Sequence, residues 1–123
     1  MKSFILLVFV FVSTIILAQQ RTVKSNLTAA EITKEAAAGH FQWIFPDQTT
    51  AEEIDNTAKY YTTYFTYKYN VENKSVDVYP VVDSEETRRV MLRFLGANQV
   101  NKIIVGEEEF ELYAYYEKFM KIN

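Results

Sequence analysis

Two alternating segments on either side of a polar turn constrain this chain more than any other feature. Apolar and polar side chains alternate over residues 65–70 and again over residues 76–80, and the segment 72–75 between them is ENKS. A period of two residues is typical of a strand with one buried face, and a turn between two such runs predicts a β-hairpin. Pro80 suits a strand end or an edge strand, because proline has no N–H to give to a central ladder.

Helical patterns precede and follow the hairpin. Thr50 is followed three residues later by a glutamate, a capping-box spacing that predicts a helix from about Thr50. Asp83 or Ser84 caps a second predicted helix, which we expect Gly96 or Asn98 to close. The apolar stripes are Ile54, Ala58, Tyr61 and Phe65 in the first helix and Val90, Met91, Phe94 and Leu95 in the second.

Other segments complete the pattern. The sequence predicts an aromatic strand over residues 41–45, a buried strand over residues 100–105 and a helix after the acidic residues 107–109. The stripe of this last helix is Leu112, Tyr116, Phe119 and Met120, although residues 110–115 also fit the start of a strand. Near the N-terminus, Thr28 begins a short predicted helix that Gly39 ends.

The order of these elements predicts the fold. From the aromatic strand onward it is strand, helix, strand, strand, helix, strand, which is the α+β, ferredoxin-like βαββαβ arrangement. We expect a four-stranded antiparallel sheet with two helices on one face, plus a C-terminal helix. The predicted organisation is a signal peptide over residues 1–18, a flexible lead-in and short helix over residues 19–39, and a single ferredoxin-like domain over residues 40–123.

The span from about Phe41 to Val105 resembles a heavy-metal-associated domain. The resemblance rests on the aromatic first strand, on NVENKSVDVYPV at the place of that family's second hairpin, and on SEETRRVMLRFLGANQV at the place of its second helix. It implies the ferredoxin-like fold. In that family two cysteines in the loop after the first strand bind a soft metal, but here residues 45–50 are FPDQTT. The resemblance therefore assigns no metal ligand in this chain.

The N-terminal segment predicts export. Lys2 precedes an apolar run from Phe4 to Ala18, which is shorter than the about 20 apolar residues of a membrane-spanning helix. A positive charge, a short apolar run and a small final residue are typical of a secretory signal peptide, here cleaved after Ala18. We expect a periplasmic or secreted bacterial protein with no membrane span after cleavage. Since the chain has no cysteine, aromatic packing must supply the stability that disulfides often give small secreted domains.

Several function classes are disfavoured. The net charge is −3 and there is no basic cluster, so nucleic-acid binding is not expected. The glycines are isolated and form no phosphate-binding loop, so we expect no nucleotide cofactor. His40 is the sole histidine, and no nucleophile, base and acid stand in a recognisable pattern. We therefore predict that the protein is not an enzyme and holds no cofactor.

A metal site is the alternative hypothesis. His40 with Asp47 and Glu52 near the first loop would suit Zn²⁺ or Cu²⁺, which accept imidazole together with carboxylate. Met91 and Met120 lie on apolar stripes and are predicted core residues rather than ligands. This alternative describes a metal-handling domain related to the heavy-metal-associated domain, with histidine and carboxylates in place of thiols.

Tyrosine is the most unusual part of the composition. The chain has nine tyrosines, and six of them lie between residues 60 and 79. A core this small cannot enclose them all, and surface tyrosine is common in protein interfaces. We therefore predict a non-catalytic binding module that contacts a protein partner, or a second copy in a homodimer, through Tyr67, Tyr69 and Tyr79.

Arginines mark a second candidate surface. Arg88, Arg89 and Arg93 occupy neighbouring positions on the second predicted helix. They suit an acidic partner or an anion. They equally suit local pairing of Glu85 with Arg89 and of Glu86 with Arg93. The sequence leaves these two interpretations open.

Overall fold

The fold is taken from a computed structural model, which describes residues 20–122. The predicted signal peptide, residues 1–18, therefore lies outside the described residues. The elements are β1 (Arg21–Ser25), α1 (Ala29–Ala36), β2 (Phe41–Ile44), α2 (Ala51–Ala58), β3 (Phe65–Asn70), β4 (Ser75–Pro80), α3 (Glu85–Ala97), β5 (Val100–Val105), β6 (Glu108–Glu111) and α4 (Leu112–Tyr115), which continues as a π-helical segment (Tyr116–Met120). Within residues 20–122, none of the helices has the length and apolar character needed to cross a membrane.

The six strands form one mixed sheet in the order β3-β4-β2-β1-β5-β6. β1 runs parallel to β5, and every other neighbouring pair is antiparallel. The predicted α+β class is confirmed, but the predicted four-stranded antiparallel ferredoxin-like sheet is wrong. In that arrangement β2 and β5 would be neighbours. Here β1 lies between them, and β6 extends the sheet beyond β5.

β1 comes from the segment that we predicted to be a flexible lead-in. Its sequence, RTVKS, has a single apolar side chain, that of Val23, which is fully buried. Val23 pairs with Ile103 of β5, and Lys24 pairs with Ile44 of β2. The ladder with β5 runs along all five residues of β1, whereas the pairing with β2 is the single pair of Lys24 with Ile44. The sheet therefore begins well before residue 40, where the sequence analysis placed the start of the domain.

Side-chain caps begin three helices at the predicted positions. The hydroxyl of Thr28 accepts a hydrogen bond from the N–H of Glu31, and the carboxylate of Glu31 accepts one from the N–H of Thr28, which completes a capping box. The hydroxyls of Thr50 and Ser84 cap α2 and α3 in the same way, each accepting from the N–H three residues on. Local sequence thus sets where these helices begin.

Two helix ends use a left-handed residue. Gly39 closes α1 with a φ of 80°, and a Cβ at this position would lie 2.4 Å from the side chain of Pro80. Glycine is therefore required both for the conformation and for the close approach to β4. At the end of α3 the left-handed residue is Gln99, with a φ of 66°, rather than the predicted Gly96 or Asn98.

The helices cover one face of the sheet. Alternate strand residues on this face are buried and form the core with α2, α3 and the C-terminal helix. The indole N–H of Trp43 in β2 donates to the hydroxyl of Tyr115 in α4 at 3.2 Å, which gives both buried aromatic residues a polar partner. The strand residues of the core are Val23, Phe41, Trp43, Phe65, Val76, Val78, Val100, Ile103 and Val105.

A buried arginine joins the ends of three helices. Arg88 of α3 donates to both carboxylate oxygens of Asp83, at 2.9 and 2.8 Å, to the carbonyl of Met120 at 3.0 Å, and to the carbonyl of Ala36. Its guanidinium carbon lies 5.4 Å from the ring centre of Phe41. A buried charge is tolerated only when it is well hydrogen-bonded, and all three nitrogens of this guanidinium donate. Arg88 therefore fixes α1 and the C-terminal helix against α3.

We expect Arg88→Met to lower the free energy of unfolding by about 3 kcal/mol, because it leaves Asp83 and two helix-end carbonyls without a donor. Arg89→Met is the matched control. Arg89 is exposed and makes one ion pair within α3, so its replacement should change stability by no more than about 0.5 kcal/mol. Urea denaturation of both variants measures this, and equal effects would contradict the anchoring role.

The place of β1 predicts that a chain starting at His40 cannot fold. Its removal would leave β2 and β5 without the strand that lies between them and would expose the core beside Val23. We expect residues 20–123 to unfold cooperatively on heating and residues 40–123 to show no cooperative transition, as followed by circular dichroism. A cooperative transition in the shorter chain would mean that β1 is dispensable.

Candidate functional site

The face of the sheet opposite the helices, here called the open face, is the candidate site. It is formed by the strand residues that alternate with the core positions. Ser75 is the buried member. The others are half-buried or exposed and include cations, anions and two isoleucines. They are Thr22, Lys24, Gln42, Ile44, Thr66, Lys68, Asn70, Asp77, Tyr79, Lys102, Ile104, Glu109 and Glu111.

A histidine with two carboxylate partners lies on this face. His40 directly precedes β2, and its Nε2 is 2.7 Å from Oδ1 of Asp77 in β4. Its Nδ1 is 3.1 Å from Oε2 of Glu35 in the last turn of α1. The side-chain amide of Gln42 donates to the same oxygen of Asp77 at 3.2 Å. Both ring nitrogens are therefore engaged, each by a different element of the fold.

The two carboxylates favour the protonated imidazole. Burial acts to lower the pKa of His40, but the hydrogen bonds to Asp77 and Glu35 and the charges of both groups outweigh it. The pKa of His40 is consequently raised above its usual value. In the protonated form both nitrogens donate, one to each carboxylate.

Tyr79 lies flat on the His40 ring. The ring centres are 4.6 Å apart and the ring planes differ by 5°. The phenol remains 43% exposed, so it presents an aromatic surface to solvent while stacking on the imidazole. A shallow cavity of about 620 Å³ adjoins it, lined in part by Lys68, Val71 and Asp77. The network therefore supports one face of the Tyr79 ring at the surface.

The geometry of His40 suits positioning rather than proton transfer to a substrate. In a catalytic triad one ring nitrogen contacts a nucleophile and the other an orienting acid. Here both nitrogens contact carboxylates, and no serine or threonine hydroxyl within residues 20–122 is hydrogen-bonded to the ring. The His40 ring instead stacks on Tyr79, contacts Asp77 and joins α1 to the sheet through Glu35.

The predicted metal ligands are separated in the structure. His40 stands before β2, whereas Asp47 and Glu52 follow its other end, about four strand residues or roughly 13 Å away. His40 is paired with Glu35 and Asp77 instead. In the part of the chain that the structure describes, no group of three or more His, Cys, Asp or Glu is placed to hold a metal ion. Met91 and Met120 are fully buried, as predicted.

The three predicted contact tyrosines do not share one surface. Tyr67 and Tyr69 lie on the helix-covered face and are half-buried, while Tyr79 lies on the open face. The hydroxyl of Tyr67 donates to Asp55 of α2, and that of Tyr69 donates to the carbonyl of Thr49. The bond to Asp55 raises the pKa of Tyr67 to about 12. Tyr67 and Tyr69 thus attach the hairpin to α2 and the loop before it, which leaves Tyr79 as the exposed member.

Sequence reasoning missed the partners of His40. Glu35 is five residues before it, close enough in the chain to have been considered. Asp77 is 37 residues away and meets His40 only through the pairing of β2 with β4. Alternation within 76–80 places Asp77 and Tyr79 on the same face, which was the available signal.

Comparisons of the chain with protein-family models, with curated proteins and with solved structures gave no match. The resemblance to heavy-metal-associated domains therefore rests on the order of elements from β2 to β5 and on nothing further.

The raised pKa of His40 predicts a pH dependence of stability. When the folded pKa exceeds the unfolded one, near 6.5, the stabilisation is complete below about pH 6.5 and is lost as the pH rises through the folded pKa. We expect His40→Asn to lower the free energy of unfolding by roughly 1 kcal/mol near pH 6 and by less near pH 9. Urea denaturation at the two pH values measures this.

The variant Asp77→Asn tests why the pKa of His40 is raised. Asp77→Asn should lower the pKa of His40, read from the NMR titration of its ring protons, because the neutral amide no longer favours the imidazolium. An unchanged His40 pKa in Asp77→Asn, or a His40→Asn effect that grows with pH, would contradict this assignment.

Proposed function

We propose that this protein is an exported, non-catalytic binding module that contacts a protein partner, or a second copy of itself, through the open face of its sheet. The observation that carries the proposal is Tyr79, exposed at the surface and stacked on a histidine that two carboxylates hold in place. Export is supported by the sequence of residues 1–18.

The support from Tyr79 is energetic. A side chain that is already ordered loses little conformational entropy on binding, so its contact area contributes more to affinity. Tyrosine at the centre of an interface is among the residues that most often carry binding energy. Stacking on His40 supplies the order, while 43% of the side chain stays available for contact.

The rest of the open face fits a protein surface as partner. Lys68 and Asp77 lie near Tyr79 on β3 and β4, while Ile44, Ile104, Lys24, Lys102, Glu109 and Glu111 lie further across the same face. A face that mixes both charges with apolar area favours a partner with a complementary pattern. Nucleic acid would instead require a surface of one positive sign.

Site-specific photocrosslinking tests the proposal in cells that make the full chain. A photoreactive residue at Thr66, which pairs with Tyr79 across β3 and β4, should give adducts of discrete mass. The same residue at the exposed Lys59, on the helix side, should give none of these adducts. The adduct mass distinguishes a second copy of this chain from a different protein.

Paired tyrosine variants complete the test. Tyr79→Ser should reduce the Thr66 adducts about tenfold or more, as expected for a central contact residue. Tyr60→Ser is the matched control, because Tyr60 is 72% exposed and follows α2 on the other side of the sheet. Absence of adducts at Thr66, or equal yields in the two variants, would reject the open face as the binding surface. Tyr67→Ser and Tyr69→Ser are unsuitable here, since both hydroxyls support the fold.

A further inference from the structure

A groove separates α3 from the C-terminal helix on the side of the molecule opposite the open face. It has a volume of about 350 Å³, within the range of small-molecule sites. Arg89, Arg93 and Lys121 supply positive charge along it, and Tyr113 and Tyr116 form an aromatic wall. Two carboxylates, those of Glu85 and Glu117, also line the groove, so in a chain of net charge −3 its three cations leave a small positive excess.

The cations of the groove are incompletely paired. Arg89 contacts Glu85 at 2.6 Å and Lys121 contacts Glu117 at 3.4 Å. Arg93 has no ion pair within residues 20–122, so the pairing with Glu86 that the sequence allowed is not formed. Arg89 and Arg93 are one helical turn apart, a spacing at which like charges repel. An anion between them would remove this repulsion.

A buried hydroxyl marks the same place. Tyr116 is 5% exposed and lines the groove, and its hydroxyl has no hydrogen-bond partner at normal distance. The hydroxyl faces the guanidinium of Arg89, and it is the first cause of the raised pKa of Arg89, ahead of Glu85. Within residues 20–122 this buried hydroxyl makes no hydrogen bond of normal geometry, so the position beside Arg89 is one that a ligand can complete.

Tyr113 defines the second half of the groove. It is 70% exposed, and its ring meets that of Tyr116 nearly edge-on, with centres 6.5 Å apart and planes at 69°. This leaves the broad face of the Tyr113 ring available for stacking. The groove therefore joins a guanidinium pair to an open aromatic face.

We propose that this groove binds a small organic anion in which a carboxylate or phosphate group is attached to an aromatic ring. The oxyanion lies between Arg93 and Arg89, whose forked N–H groups match its oxygens, and the ring stacks on Tyr113. The site is independent of the open face, and either proposal can fail without the other.

The probes are phenyl phosphate, benzoate and inorganic phosphate, added to the full mature chain at low salt. Two-dimensional NMR follows the arginine side-chain N–H signals and the tyrosine ring signals. We expect saturable shifts at Arg93 and Tyr113 with phenyl phosphate or benzoate, and the tighter of the two identifies the anionic group. Inorganic phosphate should bind about tenfold more weakly, because it cannot stack.

Variants of exposed residues test the contacts. R93Q should weaken the aromatic probe about tenfold or more, and Tyr113→Ala should reduce its affinity to that of inorganic phosphate. Lys59→Gln, which removes an exposed cation at the end of α2, is the matched control and should leave binding unchanged. The absence of saturable shifts at about 10 mM probe, or R93Q binding like the wild type, would overturn the proposal. Equal affinity for inorganic phosphate and the aromatic probes would overturn the aromatic part of it.

Discussion

The buried guanidinium of Arg88 is the constraint on which the arrangement of helices depends. Alone it would be among the most unfavourable groups to remove from water, and the fold accommodates it by bringing a carboxylate and two helix-end carbonyls to it. Those carbonyls belong to Ala36 and Met120, so α1 and the C-terminal helix have one permitted position relative to α3. The position of the C-terminal helix in turn creates the groove beside Arg93, while that of α1 brings Glu35 to His40. Glu35 and Ala36 are adjacent in the chain. The last turn of α1 therefore contacts Arg88 in the core through Ala36 and His40 on the open face through Glu35.

The parts of the fold that the sequence predicted are those governed by short-range rules. Capping by Thr28, Thr50 and Ser84 depends on residues three positions apart, and the hairpin depends on alternation around a four-residue turn. β1 could not be found in this way. Val23 is its only apolar residue, and the strand exists because β2 and β5 pair with it from both sides. β6, with the sequence EEFE, has Phe110 as its only apolar residue, and the sequence indicated it only through the alternative of a strand starting at residue 110.

The tyrosines show a related limit. Counting them indicated that some must lie at the surface, which Tyr60, Tyr79 and Tyr113 do. The count could not indicate which tyrosines are exposed. Tyr67 and Tyr69 differ from Tyr79 only in the face of the hairpin on which the alternation of side chains places them. Much of the aromatic content proves to be structural: it fills the core or, through its hydroxyls, attaches neighbouring elements to one another. Fewer tyrosines are therefore available for recognition than the composition implied, and they lie on two different sides of the molecule.

The central position of β1 also bears on when the chain can fold. Val23 meets Ile103, so the middle of the sheet closes only after nearly the whole polypeptide is available. Contacts between such distant residues form slowly, because the intervening chain must first be ordered. During synthesis β1 therefore cannot form its parallel ladder until residues 100–105 have been made, so the central pairing of the sheet is completed only near the end of synthesis.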